Sequence, residues 1–143
     1  MRTTSPPTFI FLTVGKLKPN GRLHVALHDL AWILSERGAT AEAEEAVHQA
    51  LSIDASIHGL WDTLGTIHMH TQEYDKAEES FERSLALNEN NVQALLNMAE
   101  VLVRQGNKSR AREMDALLSN MKDALSPEDL DRLGSIREMA MSS

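Results

Sequence analysis

The side chains of this chain that are best suited to chemistry are its histidines, carboxylates and hydroxyls. His24 and His28 are four residues apart, and His68 and His70 are two apart, spacings at which imidazole groups can share a metal ion. A structural or catalytic metal site needs three or four converging ligands. Neither pair supplies that number by itself, so we expect no bound metal.

Catalysis has equally little support in the sequence. The chain has no cysteine, which rules out a thiol nucleophile, thiolate zinc sites and disulfides and is compatible with a reducing cytoplasm. The scattered serines and histidines show no nucleophile, base and orienting residue in a recognisable arrangement, and there is no glycine-rich phosphate loop. We therefore predict a cytoplasmic protein without cofactor or enzymatic activity.

The charge of the chain is uneven. The net charge is -7, yet the charged side chains of residues 1–23 are all basic. In residues 24–91 acidic side chains strongly outnumber basic ones. A nucleic-acid-binding protein needs a concentrated basic face to neutralise phosphates. The pattern argues against that class and favours a basic or amphipathic protein or peptide partner. No apolar run approaches the roughly 20 residues that span a membrane.

Residues 1–23 differ in composition from the rest. Pro6 and Pro7 oppose a helix start, and the segment that follows is rich in aromatic and β-branched residues, which favour an extended form. No small-residue cleavage site follows, as a secretion signal would require. We expect an extended or disordered arm that is basic and apolar, either loose or docked on this protomer or a neighbour.

The rest of the chain is organised around residues 58–91. Trp61, Leu64 and His68 share one face of a helix and can pack on a second helix. Gly65 lies where that second helix would cross, because a side chain there would push the two backbones apart. This stretch therefore predicts a pair of closely packed helices.

The second helix of the pair contains Ala77 and Phe81, a small and a large side chain that can interlock with the first helix. These residues resemble the tetratricopeptide pattern W-x2-L-G-x2-Y followed by A-x3-F, with His68 in place of the usual Tyr and Glu89 in place of the usual Pro. The resemblance implies an all-α superhelix of helical hairpins that holds other proteins.

The 34-residue period of that family predicts two more repeats, residues 24–57 and 92–125, so that residues 24–125 contain three. In the first of them Gly38 falls at the turn, where a left-handed residue ends a helix. Thr40 is then the expected N-cap of the second helix.

The third repeat departs from the pattern. Gly106 marks its turn, but Asp115 stands where Phe81 stood in the second repeat. The apolar residues that follow form one helical stripe and predict a longer second helix. They are Ala111, Met114, Leu118, Met121 and Leu125.

Residues 126–143 begin with a helix start of their own. Ser126 can cap, Pro127 suits the first helical position, and Asp129 can return a hydrogen bond to the cap. Stacked repeats expose their last apolar face unless another element covers it. We predict a capping helix and tail here.

The resemblance also implies which side chains face the concave groove, because the first helix of each repeat lines it. The candidate peptide-binding residues are Val25, His28, Asp29, Trp32, Glu36, Asp62, Thr63, Thr66, Met69, His70, Gln93, Asn97, Glu100 and Arg104. The family pattern also assigns Ser35, Gly59, Leu96 and Val103 to this concave surface.

The best-known groove of the family grips the two carboxylates of chaperone C-termini with lysine, arginine and asparagine. The matching positions here are His28, Trp32, Thr63, Gln93 and Asn97, of which Asn97 alone could donate to a carboxylate without changing its protonation. We reject that clamp. Trp32, flanked by acids, would instead anchor an extended or helical peptide, or pack on the arm or a dimer mate.

The sequence thus predicts an adaptor or assembly factor that binds a partner segment in its groove. One alternative is a chaperone for secreted clients, since the chain is similar in size, acidity and repeat number to type III translocator chaperones. The other is a self-associating structural or regulatory module that forms a homodimer through the arm or the terminal helices.

Overall fold

The computed structural model of the protein describes residues 23–142. The arm predicted for residues 1–23, with its docking, lies outside them except for Leu23, which begins the first helix. Residues 23–142 form seven α-helices and no strand. The helices are α1 (Leu23–Glu36), α2 (Thr40–Ile53), α3 (His58–His70), α4 (Tyr74–Leu87), α5 (Val92–Arg104), α6 (Lys108–Ser119) and α7 (Pro127–Ser142), with a 3₁₀ helix (Lys122–Ala124) between the last two.

Consecutive helices pack as hairpins, α1 with α2, α3 with α4 and α5 with α6, and α7 packs on α5. The first helices of successive hairpins also touch, α1 with α3 and α3 with α5, so these three line one face. The arrangement confirms the predicted all-α superhelix of three hairpins and a terminal helix.

The crossing of α3 and α4 depends on Gly65. A Cβ atom at this position would lie 2.6–2.9 Å from three ring atoms of Phe81, which is fully buried. Glycine is therefore required for the ring to fill this space, as the spacing predicted. Trp61, on the same helix, is partly buried, and its Nε1 donates to the Ala55 carbonyl at 2.9 Å.

All three hairpins turn through one residue with a left-handed backbone. The angle φ is +82° at Gly38, +62° at Gln72 and +81° at Gly106. In each turn the N–H of the following residue donates at 2.8 Å to a carbonyl in the last turn of the first helix, which closes a Schellman motif. Glycine adopts this conformation without a steric penalty, whereas Gln72 does not.

The prediction that Thr40 caps α2 is wrong. Thr40 is the first helical residue, Ala39 takes the cap position, and no side chain at the cap bonds the free N–H groups of α2. The reason lies in the turn, since the left-handed Gly38 leaves one residue between itself and the start of the helix.

The longer second helix predicted for the third repeat is also wrong. Helix α6 ends at Ser119, and the chain turns before the 3₁₀ helix. A straight continuation to Leu125 would have carried the chain about 9 Å farther along the axis. The turn instead brings Leu125 back into the core that contains Leu118.

Two sets of contacts fix α7. The Asp129 N–H donates to Ser126 Oγ at 3.1 Å and the Ser126 N–H donates to Asp129 Oδ2 at 3.0 Å, which are the predicted reciprocal bonds. Asp115 accepts two hydrogen bonds from Arg137 of α7, at 2.6 and 2.8 Å. This pairing lowers the pKa of Asp115 and raises that of Arg137. The residue that breaks the family pattern thus ties the terminal helix to the last repeat.

Candidate peptide-binding groove

Helices α1, α3 and α5 form a groove with two adjoining cavities. The cavity near the start of α3, called the Asp62 cavity below, has a volume of about 640 Å³ and is lined by His28, Asp29, Trp32, Ile33, Gly59, Asp62, Thr63, Thr66, Gln93 and Asn97. The cavity near the end of α3, the Arg132 cavity, has a volume of about 550 Å³ and is lined by Trp32, Thr66, Met69, His70, Gln72, Tyr74, Gln93, Asn97, Glu100, Arg104 and Arg132. Four residues line both cavities, so the groove is continuous.

Trp32 lies where the two cavities meet. Leu27 and Ala31 on the same helix are buried, which leaves Trp32 on the outer side with 47% of its surface exposed. Its neighbour Ile33 is equally exposed and borders the Asp62 cavity. Two exposed apolar side chains on a rigid helix suit the anchoring of a partner side chain.

A hydrogen bond of 2.5 Å between His28 Nε2 and Thr63 Oγ1 joins α1 to α3 at the Asp62 cavity. Thr63 is buried and also donates to the Gly59 carbonyl at 3.1 Å. These two predicted groove residues therefore hold the helices together and leave the hydroxyl little capacity for a ligand.

Asp62 is oriented by Asn91, the residue that caps α5. Asn91 Nδ2 donates to Asp62 Oδ2 at 2.7 Å, and the Asn91 side-chain oxygen accepts from the Ala94 N–H at 3.3 Å. The other carboxylate oxygen, Asp62 Oδ1, is buried and has no hydrogen-bond donor among the described residues. Asp29 is exposed and forms no ion pair within residues 23–142. The Asp62 cavity is therefore acidic.

At the Arg132 cavity two guanidinium groups share one carboxylate. Arg104 Nε donates to Glu100 Oε2 and Arg132 Nη2 donates to Glu100 Oε1, both at 3.1 Å. The bond to Glu100 raises the pKa of Arg104. Arg132 also donates to Asn97 Oδ1, so a residue of α7 completes this end of the groove.

Comparison with models of protein families finds the same repeat in this chain. Profiles described as tetratricopeptide repeat match residues 25–55 and 68–123. The chain belongs to the tetratricopeptide repeat family. No protein of curated function matches this tetratricopeptide repeat chain in sequence.

Several solved structures share the fold. The Yersinia enterocolitica type III secretion translocator chaperone SycD aligns with a TM-score of 0.73 and 19% identity over 87% of this chain and 92% of SycD. SycD in complex with a peptide of the translocator YopD aligns with a TM-score of 0.70 and 19% identity, over 82% and 88%. The first tetratricopeptide domain of Spaghetti (RPAP3), bound to an HSP90 peptide, aligns with a TM-score of 0.74 and 14% identity, over 87% and 97%. The TM-scores show a shared fold, and at identities this low the likeness extends to the fold alone.

Most of the predicted groove residues line one of the two cavities, but Val25 and Glu36 line neither. Both are exposed near the ends of α1, and their binding role stays a prediction. Two further family positions cannot contact a ligand in the groove. Leu96 is fully buried in the core, and Val103 is buried and faces a different cleft, between α5, α6 and α7.

The sequence missed four residues of the groove, Ile33, Gln72, Tyr74 and Arg132. Gln72 is the left-handed residue of the turn after α3 and Tyr74 is the first residue of α4, so both lie where the chain passes one end of the groove. Arg132 has no comparable signal, because its position depends on how α7 lies across α5.

The histidines do not converge. His68 is buried with its Nδ1 3.3 Å from Glu73 Oε1, whereas His70 lines the Arg132 cavity. Hydrogen bonds from Thr71, Lys76 and His68 lower the pKa of Glu73 to about 2. In residues 23–142 no three His, Asp or Glu side chains are grouped so as to hold a metal ion.

None of the described helices is long and apolar enough to cross a bilayer.

Proposed function

We propose that this protein is a non-catalytic interaction module whose groove holds a segment of a partner protein. The observation that carries the proposal is the half-exposed Trp32 at the junction of two cavities. Structures of the same fold that hold an HSP90 peptide or a YopD peptide support it. The lack of cysteine fits a reducing compartment such as the cytoplasm.

The groove is built on packed helices, so binding orders little of the host and the cost in conformational entropy falls mainly on the peptide. A tryptophan that becomes buried by a partner is a typical hot spot, worth about 2 kcal/mol or more. Replacing Trp32 with alanine is therefore expected to weaken binding about 30-fold. The residues around it would contribute shape and hydrogen bonds.

The test is a selection of peptides from a random library on the wild-type protein, followed by calorimetric titration of the selected peptides against variants. Trp32→Ala should lose about 30-fold in affinity. Ile53→Ala, which removes an exposed apolar side chain outside the groove, should bind as the wild type does. Failure to select any peptide, or equal affinity of Trp32→Ala and wild type, contradicts the proposal.

A second candidate is a chaperone for secreted or membrane-active client proteins, favoured by the alignment with SycD over nearly the whole of both chains. Such a chaperone should stop a synthetic amphipathic peptide from permeabilising anionic lipid vesicles when added at equimolar amount. Dye leakage that is unchanged by the protein and by its Trp32→Ala variant alike excludes this role. Self-association, the third role considered from the sequence, stays a prediction.

A further inference from the structure

The two cavities of the groove carry opposite charge. Asp29 and Asp62 line the Asp62 cavity, and no Lys or Arg is among the described residues that line it. Neither acid is neutralised by a nearby Lys or Arg within the described chain, and one oxygen of Asp62 has no hydrogen-bond donor there. His58 Nδ1, the closest basic group to Asp62, is 3.8 Å away. Because Asp62 Oδ1 is buried, the accessible capacity of this cavity for a cation is that of the exposed Asp29 carboxylate.

The Arg132 cavity has the opposite imbalance. Arg104 and Arg132 both donate to Glu100, the one acid among the described residues that line it, so this lining carries one more positive than negative charge. Asp129, which lies outside the lining, also attracts Arg132 and offsets part of that excess. The side chains of Arg104 and Arg132 are 43% and 32% exposed, which leaves N–H groups accessible from the groove. A planar guanidinium pairs well with a carboxylate through two parallel hydrogen bonds.

Helix dipoles account for part of this pattern. Arg104, in the last turn of α5, complements the partial charge of that helix end, whereas Asp62 lies beyond the first turn of α3. Asp29 lies in the middle of α1, however, and Arg132 comes from α7, where neither complements the end of a groove helix. The separation of charge along the groove is therefore not explained by helix stability.

We propose that the groove selects a partner segment of mixed charge and fixes its orientation. A lysine or arginine of the segment lies at the Asp62 cavity, a carboxylate lies at the Arg132 cavity, and an apolar side chain between them packs on Trp32. The carboxylate belongs either to an Asp or Glu side chain or to the C-terminus of the segment. This inference rests on the proposed function, and it narrows the basic or amphipathic partner expected from the sequence to one that carries both charges.

The experiment uses four sets of synthetic peptides with the same central apolar residue and blocked ends. Their flanks are Lys on one side and Glu on the other, Lys on both, Glu on both, or neutral on both. The set with both charges should bind the wild-type protein about tenfold more tightly than the two single-charge sets, the ratio expected for one partly exposed charge-assisted hydrogen bond. A fifth set, with Gln for Glu and a free C-terminus, distinguishes a terminal carboxylate from a side chain.

Variants of the protein assign each charge to its cavity. Arg132→Gln should abolish the preference for the Glu flank and keep that for the Lys flank, and Asp29→Asn should do the reverse. Arg112→Gln and Asp131→Asn remove the same charges from exposed positions outside the groove and should leave both preferences unchanged.

The outcomes separate the inference from the proposed function. Binding by every set with equal affinity, or preferences that survive both Arg132→Gln and Asp29→Asn, overturns the charge selection and leaves peptide binding intact. Tighter binding of the peptides with Lys on both flanks supports a purely basic partner and likewise overturns it. No binding by any set contradicts the proposed function as well.

Discussion

Replacing Gly65 with alanine tests the helix crossing on which the fold depends. In an ordinary helix interior this change stabilises by about 1 kcal/mol, because alanine is the better helix former. Here the new Cβ would lie 2.6 Å from the nearest ring atom of Phe81, and the ring is fully buried. Overpacking of this kind costs about 1–3 kcal/mol. We expect a net loss of about 1–2 kcal/mol.

The matched control is Gly134→Ala, in the interior of α7, where an added Cβ meets no atom within 4 Å. That variant should gain up to about 1 kcal/mol. Chemical and thermal unfolding followed by circular dichroism measure both, and each kcal/mol shifts the melting temperature by about 3 °C in a chain of this size.

A second background makes the test specific to the ring. In a Phe81→Leu protein the clash disappears, so adding Gly65→Ala should become neutral or stabilising. If Gly65→Ala raises the melting temperature as Gly134→Ala does, the crossing does not depend on a missing side chain. A penalty that persists in the Phe81→Leu background would show that the cost has another origin.

Two further predictions concern the turns and the terminal helix. Gln72→Gly should stabilise the protein by about 1 kcal/mol and Gly106→Ala should destabilise it by a similar amount, because both positions have a left-handed backbone that glycine alone adopts freely; effects of the same sign in urea titrations would contradict this. The Asp115–Arg137 pair lowers the pKa of Asp115 below its ordinary value of 3.8, so its stabilisation is present above about pH 4 and is lost as pH falls through the lower folded-state pKa. Asp115→Asn should therefore lower the free energy of unfolding by about 0.5–1 kcal/mol at pH 7, a figure that allows for partial exposure, and by nearly nothing at pH 2. An equal loss at both pH values, or a loss that persists in an Arg137→Met background, refutes the assignment.

Much of the fold was predictable because it is encoded locally. Gly65 and Phe81 belong to helices adjacent in the chain, and their spacing alone requires a close crossing. The same holds for the turn glycines and for the Ser126–Asp129 cap, whose hydrogen bonds span a few residues. The prediction of Thr40 as a cap was wrong although it also concerned a local feature, because the turn places the helix start one residue from where the pattern indicated.

The groove was predicted as a set of positions on first helices. Twelve of the fourteen candidates line the two cavities, and their role in binding stays a prediction. Leu96, a further family position, is completely buried by the packed helices, and the pattern does not include Arg132, which reaches the groove from α7.

The sequence by itself determined the all-helical architecture and the interlocking side chains, because side-chain periodicity acts over one or two helical turns. It also determined the 34-residue repeat, because the resemblance to the family recurs at that period. The charges of the groove, the end of α6 and the place of α7 were decided by tertiary structure. These depend on the angles at which distant helices cross, and such angles result from the packing of the whole stack, which no short pattern of residues specifies.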